Sequence, residues 1–158
     1  MNGGRVSEAL IGPVCIRGIQ VGEPLDVLFD AELRSVIGLE VVCRDGVHRF
    51  LPWSVGEPSA DGVSISFSLA LLDRPQLEYY REHALTLSRL RRLPVETAEA
   101  SLAVEDVVVS SSGSVLAVVV DGADEATWIA RDELVLERER LRHVGRRPAQ
   151  QTAAQGAA

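Results

Sequence analysis

Apolar positions along this chain recur mostly with a period of two, the spacing that gives a strand one buried and one open face. The clearest case is Val63 to Leu71, where Val63, Ile65, Phe67, Leu69 and Leu71 alternate with Ser64, Ser66, Ser68 and Ala70. Leu25–Phe29, Ser35–Cys43 and His48–Trp53 predict three more strands. The last two flank Asp45-Gly46, a hairpin signal because glycine accepts a positive φ without steric cost. Pro52 predicts that its strand ends there or lies at an edge. Further on, Leu102–Val109, Val115–Val120, Thr127–Ala130 and Leu134–Leu136 predict strands separated by turns at Ser110–Ser114 and Asp121–Asp124.

Between these two strand-rich stretches the period changes. Leu77, Tyr80, Ala84, Leu87 and Leu90 recur at three and four, which predicts one amphipathic helix over 75–91. Asp73 is its candidate N-cap, Pro75 suits its first turn, and Pro94 stops it. Glu137–His143 reads as a short charged helix. Gly145–Ala158 has no large apolar residue and is expected to be a disordered tail.

The two strand-rich stretches match each other. Asp26-Val27-Leu28-Phe29 answers to Asp106-Val107-Val108-Val109, and the Ser35–Val41 run to Ser114–Val120. Asp45-Gly46 answers to Asp121-Gly122, and Phe50–Trp53 to Trp128–Arg131. The offset stays between 76 and 80 residues and the order is kept, which indicates an internal duplication.

The repeated unit resembles the PRC-barrel domain family. The resemblance lies in Asp26–Asp30, Val36–Val41, Gly46 and Leu51-Pro52-Trp53. It covers about 16–72 well and 94–136 less closely, since Arg131 stands where the first copy has Trp53. It implies a mainly β protein of two small barrels in tandem. The expected division is a first barrel at 10–73, a connecting helix at 74–92, a second barrel at 93–137 and a tail at 138–158. It also implies an adaptor role, binding a protein partner or a second copy. The ribosome-maturation branch of the family suggests RNA or ribosome association as an alternative.

Composition sharpens this picture. Hydrophobic residues make up 46% of the 158 and aromatics only 4%, so the core has to be built from Val, Leu and Ile. The net charge of −7 repels a phosphate backbone unless basic groups are gathered locally. All 16 basic residues are Arg, and they concentrate at Arg89, Arg91 and Arg92 and between Arg138 and Arg147. Cys15 and Cys43 lack the spacing of a zinc or disulfide framework, and Cys43 is expected to be buried. The chain shows neither a leader pattern nor an apolar run long enough to span a membrane, so a cytoplasmic location is expected.

Candidate chemistry is sparse. His48, His83 and His143 have no ligand-spaced neighbours, so no metal or cofactor is expected. The acid pairs Asp26 with Asp30, Glu105 with Asp106, and Asp132 with Glu133 are expected to be structural. The recurrence of Asp26 and Asp106 at one repeat position suggests a bond to a nearby turn amide. No enzyme activity is expected. Trp53, Tyr79, Arg89, Arg91, Arg92 and Trp128 remain as candidate partner-binding residues, because Trp, Tyr and Arg dominate binding hot spots. For Trp53 and Trp128, packing at a barrel end is the competing role.

Overall fold

The computed structural model describes residues 3–122 and 126–145. In chain order the elements are β1 (Gly3–Arg5), β2 (Val14–Ile16), β3 (Ile19–Phe29), β4 (Val36–Cys43), β5 (His48–Pro52), β6 (Glu57–Ser59) and β7 (Gly62–Ile65). Then follow α1 (Arg74–His83), β8 (Leu85–Thr86), α2 (Leu87–Leu90) and β9 (Pro94–Glu96). The last are β10 (Ser101–Ser110), β11 (Val115–Val120), β12 (Thr127–Ala130), β13 (Leu134–Leu136) and β14 (Leu141–His143). The protein is mainly β.

These strands form two seven-stranded sheets with matching orders, β5-β4-β3-β2-β7-β6 and β12-β11-β10-β9-β14-β13. In each, a parallel pair (β2 with β7, β9 with β14) is embedded among antiparallel ones. Among the described residues both paths run open from end to end, so open sheets stand where the resemblance led to closed barrels.

The seventh strand of each sheet comes from the other half. β1 pairs with β10, and β8 pairs with β3. The connecting turns also meet: Val36 N donates to Gly113 O and Val115 N to Arg34 O, both at 2.8 Å. These reciprocal contacts relate the halves by a local two-fold operation, as in an isologous dimer. The main core follows from that arrangement. Val27, Phe29 and Leu39 of the first half and Val107, Val109 and Val118 of the second belong to one buried cluster.

The expected 75–91 helix is corrected: it is two helices with strand β8 between them. Its apparent single stripe joins Leu77 of α1 to Leu87 and Leu90 of α2, which reach different surroundings. The expected strand Val63–Leu71 also shortens. β7 stops at Ile65 because its partner β2 stops at Ile16, opposite. Phe67 and Leu69 are left 54% and 82% exposed. In place of the expected Glu137–His143 helix, β14 forms, with Leu141 opposite Val95 and almost fully buried. The tail expected from Gly145 lies, beyond that glycine, outside the described residues, as does part of the Asp121–Asp124 turn.

Candidate partner-binding grooves

Asp26 and Asp106 anchor the exchanged segments. Asp106 accepts from its neighbour Val107 N (2.8 Å) and from both the amide (3.3 Å) and the hydroxyl of Ser7, just after β1. Asp26 does the same with Val27 N (2.9 Å) and with the amide (3.2 Å) and hydroxyl of Ser88, just after β8. A carboxylate accepting three donors is a strong clamp. Each aspartate therefore holds the other half's exchanged strand in register. In place of the expected nearby turn amide, the amides found are those of the next strand residue and of a serine 62 or 99 residues away in the other half, whose hydroxyl also donates.

A second pair of equivalent contacts secures the turns at the two-fold. Trp53 packs on Gly113, which has a φ of +86°; a Cβ added there would lie 2.7 Å from Trp53 Cδ1. At the corresponding turn, Leu33 takes a left-handed φ of 56° and is fully buried. Leucine adopts that region at a cost that only strong local fixation sustains. Arg131 supplies it, with Nε donating to Leu33 O (2.7 Å), Nη2 to Glu32 O and Nη1 to Leu134 O (2.9 Å). Arg131 thus does by hydrogen bonding what Trp53 does by packing. Burial lowers the Arg131 pKa from its usual value.

Beside Trp53 lies an open groove of about 920 Å³. Val6, Ala9, Ile11, Trp53, Pro58 and Val109 give it an apolar lining, with Arg5 and Glu8 among its polar residues. Ile11 is 79% exposed. Two terminal strands contribute to the lining, β1 through Gly3 and Gly4 and β6 through Pro58 and Ser59. Among the described residues each has a ladder on one side only. Gly4 leaves that wall open, since a Cβ there would meet only the Glu8 carboxylate, at 3.6 Å.

The two-fold places a counterpart opening of about 370 Å³ in the second half, lined in part by Leu85, Arg89, Leu93, Leu136 and Arg138. Of the six residues singled out from the sequence, Trp53 lines the first groove and Arg89 the second. Arg91 is held by Glu105 O at 2.9 Å, while Arg92 is exposed. Tyr79 is exposed and stacks on His83 with ring centroids 4.4 Å apart. Trp128 lies apart, on the outer face of the second sheet, paired across from Val119. The six do not form one surface. Gly4 and Ile11 are not among the six, and Arg138 stands out in the sequence only as part of a basic concentration. For Gly4, the adjacent pair Gly3-Gly4 is the visible hint, because glycine in a strand marks close approach of another backbone.

Glu40 holds structure together. Glu40 is buried under α1, where its carboxylate is bonded to Arg81 and to His48 Nδ1 (2.7 Å). Burial raises its pKa, but the bonds from Arg81 and His48 outweigh this and hold it below the usual carboxylate range. His48 is half-buried against Glu40. Among the described residues no three His, Cys, Asp or Glu side chains converge as metal ligands. No described helix is long and apolar enough to cross a membrane. Cys43 is buried and unpaired.

No protein-family model matches the sequence, and no curated protein matches it either.

Proposed function

We propose that this chain is a non-catalytic binding module of tandem PRC-barrel kinship, and that the Trp53 groove takes an extended, apolar segment of a protein partner. The observation that carries the reading is the groove's construction. Two strands with open edges contribute to it, Trp53 and Ile11 supply apolar contact, and Gly4 clears space for an incoming backbone. Strand addition to such an edge gives affinity through main-chain bonds and specificity through side-chain pockets. The kinship rests on the sequence resemblance at Asp26–Asp30 and Leu51-Pro52-Trp53 and on the duplicated unit. Pairing between the edges of two copies is the self-assembling form of the same chemistry.

The RNA reading has less support. Arg140 is paired with Glu137 and Glu96, and Arg142 with Glu137, so these two arginines of the basic concentration are already neutralised, while Arg91 is held on a backbone carbonyl.

Selection of a displayed random-peptide library on the full chain tests the proposal. Apolar, extended sequences are expected to be enriched, with binding reduced at least about tenfold by Gly4→Leu, which fills the groove, and by Ile11→Glu. The control Leu69→Glu is expected to leave binding intact. If selected peptides bind the Gly4→Leu chain as tightly as the parent, the groove is not the site.

A further inference from the structure

We propose that the counterpart groove in the second half is a separate site that takes an acidic peptide segment of a protein partner. The two-fold register identifies which residues correspond. Ser7 and Ser88 bond to equivalent aspartates, so Glu8 corresponds to Arg89 one residue later, and Ile11 to Arg92. Pro58 pairs with Val63 as Leu136 pairs with Leu141, so Ala60 corresponds to Arg138. Two residues that line the first groove, the acidic Glu8 and the apolar Ala60, are therefore replaced by arginines that line the second, and Ile11 by the exposed Arg92.

Arg89 and Arg138 line this opening directly, together with the apolar Leu85, Leu93 and Leu136. Arg89 is set by α2, whose N-cap Thr86 accepts the Arg89 amide at 3.1 Å. Two acids also line it. Glu137 is occupied by Arg140 (2.5 Å) and Arg142 (3.0 Å), which leaves Glu82 at the end of α1 as the opposing charge. The chain as a whole carries −7, so this cationic spot runs against its own background. Guanidinium groups bind carboxylates through paired, charge-assisted bonds. The leucines that share the lining suit the apolar side chains of a peptide rather than a bare anion. Strand β13 ends the sheet beside the groove, with an edge to receive the peptide backbone.

The test is fluorescence anisotropy of a labelled peptide alternating Glu with Val, titrated with the full chain at low and at physiological salt. Saturable binding is expected, weakened at least about tenfold in the double variant Arg89→Gln/Arg138→Gln and unchanged in Gly4→Leu. Circular dichroism of the double variant is expected to match the parent, since both arginines are exposed. A double variant that keeps full affinity, or no binding even at low salt, overturns the proposal. So does a single-stranded RNA oligonucleotide that outcompetes the peptide at equal charge, which would make this a nucleic-acid site. The outcome is independent of the first groove, whose own variants read out separately.

Discussion

On the outer face of the first sheet, Glu40 pairs across from Phe50, and helix α1 covers both. Leu77 is buried there, Tyr80 stacks on Phe50 at 4.2 Å, and Arg81 reaches Glu40. In the same register of the second sheet, Val119 pairs across from Trp128. Val108, Ala117 and Val119 are buried there while Trp128 stays 47% exposed. One half therefore fastens its outer face with a charged lock beneath a helix. The other relies on aliphatic packing among Val108, Ala117 and Val119. The clamps Asp26 and Asp106, at the joint between halves, are the same in both. Duplication has preserved the joint and released the surfaces.

The largest effect is expected from severing the joint. Cutting the chain between Ala84 and Leu85 should give two pieces that are each unfolded alone, because the main core draws on both halves. Mixed, they should recover the parent circular dichroism spectrum as a one-to-one complex. A stable, folded fragment 1–84 would show that the halves are independent after all.

Next come the clamps. Asp106 is almost fully buried and Asp26 only half so. Asp106→Ala, which strands the Ser7 donors, should cost about 3 kcal/mol in urea unfolding, and Asp26→Ala about 1.5 kcal/mol. Equal costs would mean that burial does not distinguish the two ends of the joint.

The lock under α1 should give the first half a pH dependence that Val119 cannot give the second. Because the Glu40 pKa is lowered in the folded state, its contribution is present above the usual carboxylate range. It is lost as pH falls through the depressed value. Glu40→Gln should therefore cost about 1–3 kcal/mol at neutral pH and flatten the acid limb of stability. An unchanged acid limb would assign it to other carboxylates. The smallest effect is expected at Tyr79, whose exposed ring can be replaced by Ser within about 0.5 kcal/mol.

Much of this was legible in the sequence, for reasons that can be traced. The repeat could be read because Asp26-Val27-Leu28-Phe29 and Asp106-Val107-Val108-Val109 sit in the longest strands, where both faces are buried and composition is constrained. The hairpin at Asp45-Gly46 could be read because its turn is chemically specific; Gly46 has a φ of +77°. The exchange of β1 and β8 was hidden. Each is only two or three residues long, and its partner lies in the other half, so no local pattern encodes it. The 75–91 periodicity misled because two short helices happened to keep their apolar residues in phase across a strand. Alternation at Phe67 and Leu69 misled for another reason: a strand needs a neighbour as well as a pattern, and the ladder ends at Ile16. At the grooves, Trp53 and Arg89 stood out by residue type, whereas Gly4 matters for what it lacks.

The pairing of β1 with β10 also bears on how the molecule is made. Gly3 is translated about a hundred residues before its ladder partner Ser110. Until then Val6 and Ala9, which end up buried with both halves, have no finished surface to settle on. Such long-range closure is slow and leaves sticky intermediates. The first half therefore stays unfinished until the second has been made and can accept strand β1.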